Sequence, residues 1–287
     1  MPPVLLPLVE HLGRLVLRQR GAVSRWVATD HGTIHCYDIR GAGTLPATVV
    51  LHGLGSAATP LAPVLTRLRK DVRRIIAPEY LGHGFSEGRS VAVTPEIVVE
   101  STFQALDQTI DEPVLIVGHS LGGALAVKYA LFRPERVKAL VLVSPAGARW
   151  TDEDWQRMQQ VFKLESRADA ADLFERLYHR PPWVLRLLAG EVAASLSRPP
   201  VRSLLTVTHS ATVLSRAELG ALQVPVLLLW GRSERLLPLA HLEYFAQRLP
   251  RHALIERPHG QGHSPHVDAP AALAAKIVDF SRSIVGS

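Results

Sequence analysis

Cysteine is almost absent from this chain. Cys36 is the only one among 287 residues, so no disulfide bond can form within the chain. It lies in a predicted strand, 33–40, where we expect a buried and unreactive thiol. This composition is compatible with an intracellular location, and we expect a cytoplasmic protein.

Long hydrophobic runs are also missing. The apolar start of the chain is interrupted by Glu10, His11, Arg14 and Arg18, and the uninterrupted run is too short to span a bilayer. The apolar residues of this segment have helical spacing: Leu5, Leu8, Val9, Leu12, Leu15 and Val16. Two interpretations stay open. One is an amphipathic helix packed on the body or on the second copy of a homodimer, and the other is a helix that holds the protein peripherally on a lipid surface.

Basic residues are not concentrated enough to indicate a nucleic-acid ligand. Lys and Arg total 32 against 26 Asp and Glu, which gives a formal net charge of +6. The one dense basic stretch, residues 67–74, has the pattern of a helix end entering a strand, and we expect a solvated face there. The diffuse positive charge would favour contact with anionic lipid, and we expect no nucleic-acid partner.

The chain has no internal repeat and no low-complexity stretch, and its 47% apolar and 20% charged residues suit one α/β domain. Strands are predicted near 23–28, 33–40, 47–52, 73–77, 114–118, 137–143, 226–230 and 253–256. Helices are predicted near 60–70, 95–110, 121–132, 240–249 and 270–284. This alternation is typical of a mostly parallel sheet with helices on both faces. Ligands bind such sheets at the carboxyl ends of the strands.

A long segment between the strands 137–143 and 226–230 lacks a strand pattern and is predicted to form an inserted helical cap. Its predicted helices are Asp152–Phe162, Ala168–Tyr178, Trp183–Ala189 and Pro200–Leu214. We therefore divide the chain into a core (1–148), a cap (149–217) and a second part of the core (218–287). The stretch 183–188 is predicted to be a mobile, lipid-facing lip. The aromatic residues of the cap either pack on the core or line an apolar substrate pocket: Trp150, Trp155, Phe162, Phe174, Tyr178 and Trp183.

Residues 118–122 read Gly-His-Ser-Leu-Gly, a G-x-S-x-G pentapeptide. The motif alone is weakly specific, but here it follows the apolar run 114–117 and opens a predicted helix. A strand, a sharp turn and a helix in this order place a serine on a tight elbow with its hydroxyl above the sheet. Ser120 is therefore the predicted nucleophile, and the alternative is a helix N-cap serine between turn glycines.

A serine hydroxyl needs a base to remove its proton, and that base needs a group that fixes its tautomer. In hydrolases with such an elbow the chain order is serine, acid, histidine. His263 follows the short predicted strand 253–256 and is the predicted base, with His259 and His266 as competitors. We expect no metal site from these three histidines, because the prolines and glycines among them forbid a helix that would align them.

Glu234 is the predicted acid, because it lies just beyond the strand 226–230, where a carboxylate could reach the histidine. The preceding strand is followed by Ser-Pro-Ala-Gly at 144–147 and offers no carboxylate. A solvated loop glutamate beside Arg232 and Arg235 is the alternative.

The oxyanion that forms during acyl transfer needs fixed hydrogen-bond donors. The strand 47–52 runs into His-Gly-Leu-Gly at 52–55, a turn that can aim backbone N–H groups into the site. The expected donors are the amides of Leu54 and of Leu121, the residue after the nucleophile. An ordinary strand-terminating turn is the alternative for 52–55.

Taken in chain order, these motifs resemble the α/β-hydrolase fold family. The resemblance rests on His52-Gly53, Gly82-His83-Gly84-Phe85-Ser86, Gly118-His119-Ser120-Leu121-Gly122-Gly123, Trp230-Gly231 and Gly262-His263-Ser264-Pro265. It covers nearly the whole chain outside the predicted cap, and it is nearest to esterases and lipases similar to monoacylglycerol lipases. It implies an α/β-hydrolase fold with a mostly parallel eight-stranded sheet, helices on both faces and an inserted helical cap. The family usually has aspartate where this chain has Glu234.

The resemblance implies a serine hydrolase that cleaves small to medium apolar carboxylic esters through an acyl-enzyme, with no cofactor and no metal. A small-molecule ester is the expected partner. Two alternatives use the same three residues, Ser120, Glu234 and His263. They are hydrolysis of carbon–carbon bonds in ring-fission products and acyl transfer to an alcohol. In the carbon–carbon hydrolases a bulky residue often follows the catalytic histidine, whereas Ser264-Pro265 follow His263 here. A ligand receptor without catalysis is the third alternative.

Overall fold

The structure, a computed structural model, describes residues 5–211 and 213–285. Its strands are β1 (Ala22–Thr29), β2 (Gly32–Arg40), β3 (Thr48–Leu51), β4 (Arg74–Pro78), β5 (Val114–His119), β6 (Val137–Val143), β7 (Val226–Leu229) and β8 (Leu254–Glu256). They form one sheet in the order β1-β2-β4-β3-β5-β6-β7-β8. β2 runs antiparallel to its neighbours β1 and β4, and every other pair is parallel. The predicted mostly parallel, eight-stranded sheet is confirmed.

Helices cover both faces of this sheet, as predicted. Those of the described residues are α1 (Leu5–Gln19), α2 (Ala62–Leu68), α3 (Pro95–Thr109), α4 (Leu121–Phe132), α5 (Asp152–Val161), α6 (Arg167–Leu177), α7 (Leu185–Leu196), α8 (Pro199–Ala211), α9 (Arg216–Gly220), α10 (Leu239–Ala246), α11 (Pro265–Asp268) and α12 (Pro270–Ser283). One face packs against α1, α2 and α12, and the other against α3, α4 and α10. Because both faces are covered, every residue of β3, β5 and β7 is buried.

Five helices, α5–α9, connect β6 to β7, and the described part of that connection contains no strand. The prediction for Trp183–Ala189 is wrong in extent, because α7 continues to Leu196. Gly190 does not stop it, since this glycine is exposed in the helix interior and the following residues favour helix. The helix predicted to end at Leu214 ends at Ala211, and Thr212 lies outside the described residues. The short helices α9 and α11 were not predicted.

The N-terminal helix α1 forms, as its apolar spacing indicates. Its buried residue Leu17 packs against one face of the sheet. The predicted stripe from Leu5 to Val16 is not packed on the body, because its six side chains are 46–53% exposed. The first four residues of this apolar segment lie outside the described residues. No helix within the described ranges is long and apolar enough to cross a membrane.

Candidate active site

Ser120 lies at the sharp turn between β5 and α4, at the carboxyl edge of the sheet. Its backbone has φ 53° and ψ −117°, a region that residues with a side chain rarely adopt. Its N–H donates a hydrogen bond to the carbonyl oxygen of Val143 at 3.0 Å, and its own carbonyl accepts from the N–H groups of Gly123 and Ala146. These bonds hold the strained turn, a conformation that is often kept at functional sites. The Ser120 residue remains partly exposed.

Two glycines let neighbouring backbone approach this elbow. A Cβ atom on Gly53 would lie 3.3 Å from Cβ of Ser120 and 3.0 Å from Nδ1 of His119. A Cβ atom on Gly122 would collide with the carbonyl oxygen of Leu51 at the end of β3. The turn after β3 therefore lies directly beside Ser120, as an oxyanion-binding turn would have to.

His263 and Glu234 form a buried pair. Nδ1 of His263 lies 2.8 Å from Oε2 of Glu234, and the two side chains are 3% and 1% exposed. The second carboxylate oxygen, Oε1, accepts hydrogen bonds from the N–H groups of Leu236 and Leu237 at 2.8 and 3.0 Å. A carboxylate beside Nδ1 favours the tautomer with its proton on that atom, which leaves Nε2 as a proton acceptor.

The charge on Glu234 suits this role. Burial raises the pKa of its carboxyl, but the neighbouring His263 and the hydrogen bonds from His263 and Leu237 outweigh burial and hold the pKa below its ordinary value. Glu234 is therefore ionised at neutral pH and can stabilise a positively charged His263. The alternative of a solvated loop glutamate is wrong, because the side chain is buried.

His119 connects Ser120 to the loop that carries His263. Its Nε2 donates a hydrogen bond to the carbonyl oxygen of His263 at 2.8 Å, and the two rings are 4.9 Å apart. Among the described residues no hydrogen bond joins the Ser120 hydroxyl to the His263 ring. Such bonds are often long without substrate and tighten only when it binds.

The two competing histidines lie elsewhere. His259 is exposed in the loop after β8, and His266 is buried with its ring 5.1 Å from that of His119. Of the three histidines, it is His263 whose ring is hydrogen-bonded to Glu234.

Burial keeps several other imidazoles around the elbow neutral. It lowers the pKa of His52 to about 3 and the pKa values of His83 and His266 to about 4. The pKa of His119 is also well below its ordinary value, because the ring is buried among other histidines. These side chains therefore contribute dipoles rather than positive charge to the site at neutral pH.

Two backbone N–H groups beside Ser120 are free. Within the described residues the amides of Leu54 and Leu121 have no hydrogen-bond acceptor, whereas those of Gly55 and Ser56 are bonded to Nε2 of His83 and to the carbonyl oxygen of Gly53. Leu121 is the first residue of α4, where the helix dipole favours negative charge. These two N–H groups can therefore stabilise a negatively charged oxygen on a carbon atom that is bonded to Oγ of Ser120.

The last residue of α6 and the residues that follow it are hydrogen-bonded to the loops that carry Glu234 and His263. The N–H of Ser264 donates to the carbonyl oxygen of Leu177 at 2.8 Å, and the N–H of His179 donates to Oδ1 of Asp268 at 2.9 Å. The His179 ring also lies 2.7 Å from the Ser233 hydroxyl, next to Glu234. Sequence reasoning missed His179 and Asp268, because their contact joins residues 89 positions apart and no local pattern records it.

A cavity of about 310 Å³ lies within the cap, between α5, α7 and α8. Trp155, Phe162 and Leu196 are among its lining residues, and Ser120, Glu234 and His263 are not. Leu196 also packs directly against Gly55, the neighbour of Leu54. This one side chain therefore lies between the cavity and the turn that carries a free N–H group.

The other cap aromatics that were expected to line a pocket have different surroundings. Trp150 packs against the rings of Trp155 and His241. Phe174 and Tyr178 belong to a small apolar cluster within the cap. Trp183 is 76% exposed. Two of the six aromatic residues that were expected to line a substrate pocket, Trp155 and Phe162, line this cavity.

Comparison with known proteins gives the family of this chain. The family model of the alpha/beta hydrolase fold matches residues 46–270, which is most of the chain and includes Ser120, Glu234 and His263. The chain belongs to the α/β-hydrolase fold family. It is 23% identical over 273 residues to monoacylglycerol lipase ABHD6 of Homo sapiens, which covers 87% of this chain and 79% of that protein. It is 28% identical over 251 residues to 2-hydroxymuconate semialdehyde hydrolase of Pseudomonas sp. strain CF600, which covers 81% and 85%.

Solved structures show the same fold. A membrane phospholipase A described as a bacterial virulence factor superposes with a TM-score of 0.83 at 20% identity, over 98% of this chain and 93% of that one. Family membership and the curated relatives together support a hydrolase.

Proposed function

We propose that the protein is a serine carboxylic-ester hydrolase, an esterase or a monoacylglycerol-type lipase, that acts through an acyl-enzyme. The observation that carries the proposal is the buried Glu234–His263 pair at 2.8 Å, on the loops beside the Ser120 elbow. A carboxylate, an imidazole and a strained serine at one sheet edge are the parts that activate a serine hydroxyl. The lipase named above among the relatives supports this reaction class.

In the first step Oγ of Ser120 attacks the carbonyl carbon of the ester while Nε2 of His263 takes the hydroxyl proton. The carbonyl π electrons move to oxygen, and a tetrahedral intermediate forms. Glu234 holds the His263 ring in place and stabilises its positive charge. The free N–H groups of Leu54 and Leu121 donate to the oxyanion, and loss of one such donor typically costs about 3 kcal/mol of barrier.

In the second step the carbon–oxygen bond to the alcohol breaks, and His263 gives its proton to the departing alkoxide. The acyl group remains on Ser120 as an ester. Water then attacks this ester with His263 as base, and the second intermediate collapses to the free acid. The serine recovers its proton from His263, so the enzyme is unchanged.

We further propose that the acyl chain occupies the cavity of about 310 Å³ in the cap. Trp155, Phe162 and Leu196 give it an apolar wall, beside polar residues that include Lys163 and Arg202. The apolar wall suits a small to medium apolar chain. Leu196 supports this assignment, because it contacts both the cavity and Gly55.

The proposal is tested by hydrolysis of p-nitrophenyl esters from acetate to palmitate, with Ser120→Ala as the control. We expect turnover that depends on Ser120 and is greatest for medium chains. Absence of turnover on every ester, with protein shown to be folded, would overturn the proposal.

Carbon–carbon hydrolysis is the second candidate, because one relative at 28% identity is a 2-hydroxymuconate semialdehyde hydrolase. The two candidate reactions are distinguished by measuring the hydrolysis of an ester and of a ring-fission product with the same preparation of the protein. The ester proposal requires kcat/KM for a medium-chain ester to exceed that for a ring-fission product, and the reverse order would favour the second candidate.

A further inference from the structure

One side of helix α1 presents an apolar surface to solvent. Six of its side chains are large, apolar and 46–53% exposed: Leu5, Leu8, Val9, Leu12, Leu15 and Val16. At the helical spacing of 100° per residue they occupy an arc of about 120°. A contiguous apolar surface of this kind marks an interaction site, whereas single exposed apolar residues do not.

Two polar residues of the same helix, Glu10 and Arg14, face the protein body. The Glu10 side chain is 15% exposed and lies 3.6 Å from the guanidinium of Arg89. Arg14 lies over the ring of Phe85 at 4.4 Å, and its guanidinium reaches the hydroxyl of Ser24. This is the reverse of an ordinary surface helix, which turns its apolar side inwards.

The apolar surface of α1 continues onto the cap. The Glu191 carboxylate of α7 accepts hydrogen bonds from the N–H groups of Leu5 and Leu6, so the start of α1 lies against α7. Leu187, one helical turn before Glu191 and therefore on the same side of α7, is 65% exposed. Trp183, just before α7, is 76% exposed. We call the six α1 residues together with Leu187 and Trp183 the α1–α7 apolar surface.

The exposed charges beside this surface are positive, whereas the Glu191 carboxylate is half-buried and accepts hydrogen bonds from α1. Arg18 and Arg20 are exposed at the end of α1, and neither forms an ion pair among the described residues. The single acid between residues 5 and 20 is Glu10, which faces inwards. An apolar stripe with exposed arginines and a tryptophan nearby is complementary to anionic headgroups above an acyl layer.

A second copy of the chain fits less well. Two copies that met about a twofold axis would each bring the same arginines to a shared interface. Like charges opposite each other disfavour association, and each chain carries a formal net charge of +6.

We propose that the α1–α7 apolar surface docks the protein on an anionic lipid surface. Helix α1 lies parallel to the bilayer, with its apolar side chains at the boundary between headgroups and acyl chains. Since α7 also contributes Leu196 to the cavity, docking brings the cap next to the lipid. The proposal is independent of the ester chemistry, because it depends on exposed groups outside the candidate site.

The test is co-sedimentation of the full chain with vesicles of phosphatidylcholine alone and of phosphatidylcholine with an equal part of phosphatidylglycerol. The main variant is Leu8→Glu/Leu12→Glu, since both leucines are 53% exposed. The matched control is Leu254→Glu, because Leu254 is 54% exposed on β8, at the opposite edge of the sheet from β1. A third variant, Arg18→Glu/Arg20→Glu, tests the charge, and equal thermal unfolding midpoints show that all variants are folded.

We expect binding to the anionic vesicles that falls by about tenfold or more in the double leucine variant and stays within about twofold in the Leu254 control. The arginine variant should lose the preference for anionic over neutral vesicles. The proposal is overturned if the parent does not bind vesicles or if the leucine variant binds as well as the parent. Dimerisation without vesicle binding, abolished by Leu8→Glu/Leu12→Glu, would assign the surface to a second copy instead.

Discussion

The backbone N–H of His179 lies 2.9 Å from Oδ1 of Asp268, and this bond joins the end of α6 to the helix that follows His263. The other carboxylate oxygen of Asp268 accepts a hydrogen bond from the N–H of Gly262 at 2.8 Å. One carboxylate therefore links the cap to the residue directly before the proposed base. Asp268 is a positioning residue in this account, since it acts through His263.

Asp268→Asn should lower kcat for ester hydrolysis by about tenfold to a hundredfold, because small displacements of a catalytic group are costly. In this variant one of the two donors, the N–H of His179 or of Gly262, would face the amide NH₂ group instead of an oxygen acceptor. The measurements are kcat and KM, determined separately, and the pH profile of kcat. Asp268→Glu keeps the carboxylate and should therefore retain a higher kcat than Asp268→Asn. Asp279→Asn, a change at an exposed aspartate on α12, is the control. An unchanged kcat and pH profile for Asp268→Asn would contradict the positioning role.

Glu234→Gln should reduce kcat/KM by up to about 10⁴-fold, because an amide neither stabilises the imidazolium nor fixes the tautomer. Glu234→Asp should retain more activity than Glu234→Gln, since it keeps the charge but shortens the side chain. Both rates are compared with Glu243→Gln, which changes an exposed glutamate on α10. Parent-like rates for Glu234→Gln would mean that the acid lies elsewhere.

The sequence alone predicted the elements of the site whose signals are local. Ser120 is recognisable because the strand, turn and helix around it are contiguous, and Leu121 follows from the same turn. Glu234 needed an argument by position, since a loop carboxylate beside two arginines has no local signature. Its burial became visible only when the loops after β7 and β8 were placed together.

Other features were outside the reach of sequence reasoning. The apolar spacing of α1 predicted the helix and its stripe, but periodicity does not say whether a stripe faces the body or the solvent. The extent of α7 was underestimated, because the exposed Gly190 does not end a helix whose following residues favour helix. The contact between His179 and Asp268 depends on how the cap is placed, which no segment of the chain encodes by itself.

Gly122→Ala should lower the free energy of unfolding by about 1–3 kcal/mol, because its Cβ atom would collide with the carbonyl oxygen of Leu51. Gly190→Ala is the matched substitution, since a Cβ atom there meets nothing within 4 Å. It should leave stability unchanged or raise it by about 0.5–1 kcal/mol. Urea unfolding of the two variants gives both values, and equal effects would contradict the close approach of α4 to β3.

The buried histidines predict a loss of stability on mild acidification. Their side chains have pKa values of about 3 to 4 when folded, against 6.5 as the ordinary value. Below pH 6.5 the unfolded chain therefore binds protons that the folded chain does not. The stabilisation is complete above pH 6.5 and is lost as the pH falls towards 4, by up to roughly 3 kcal/mol for each such histidine.

The check is the free energy of unfolding measured at several pH values across this window. His266→Gln should give a shallower decline than the parent protein, whereas His259→Gln, at an exposed histidine, should match the parent. If the two variants decline in parallel, His266 is not held neutral by the fold.

The central claim is that Ser120 is an activated nucleophile, and covalent labelling tests it most directly. The folded protein is treated with a fluorophosphonate, digested, and mapped by mass spectrometry. The account predicts one phosphonylated residue, Ser120, with labelling abolished in Ser120→Ala and slowed in Glu234→Gln. An unlabelled Ser120 in folded protein, or labelling that survives Ser120→Ala at the same rate, would contradict it.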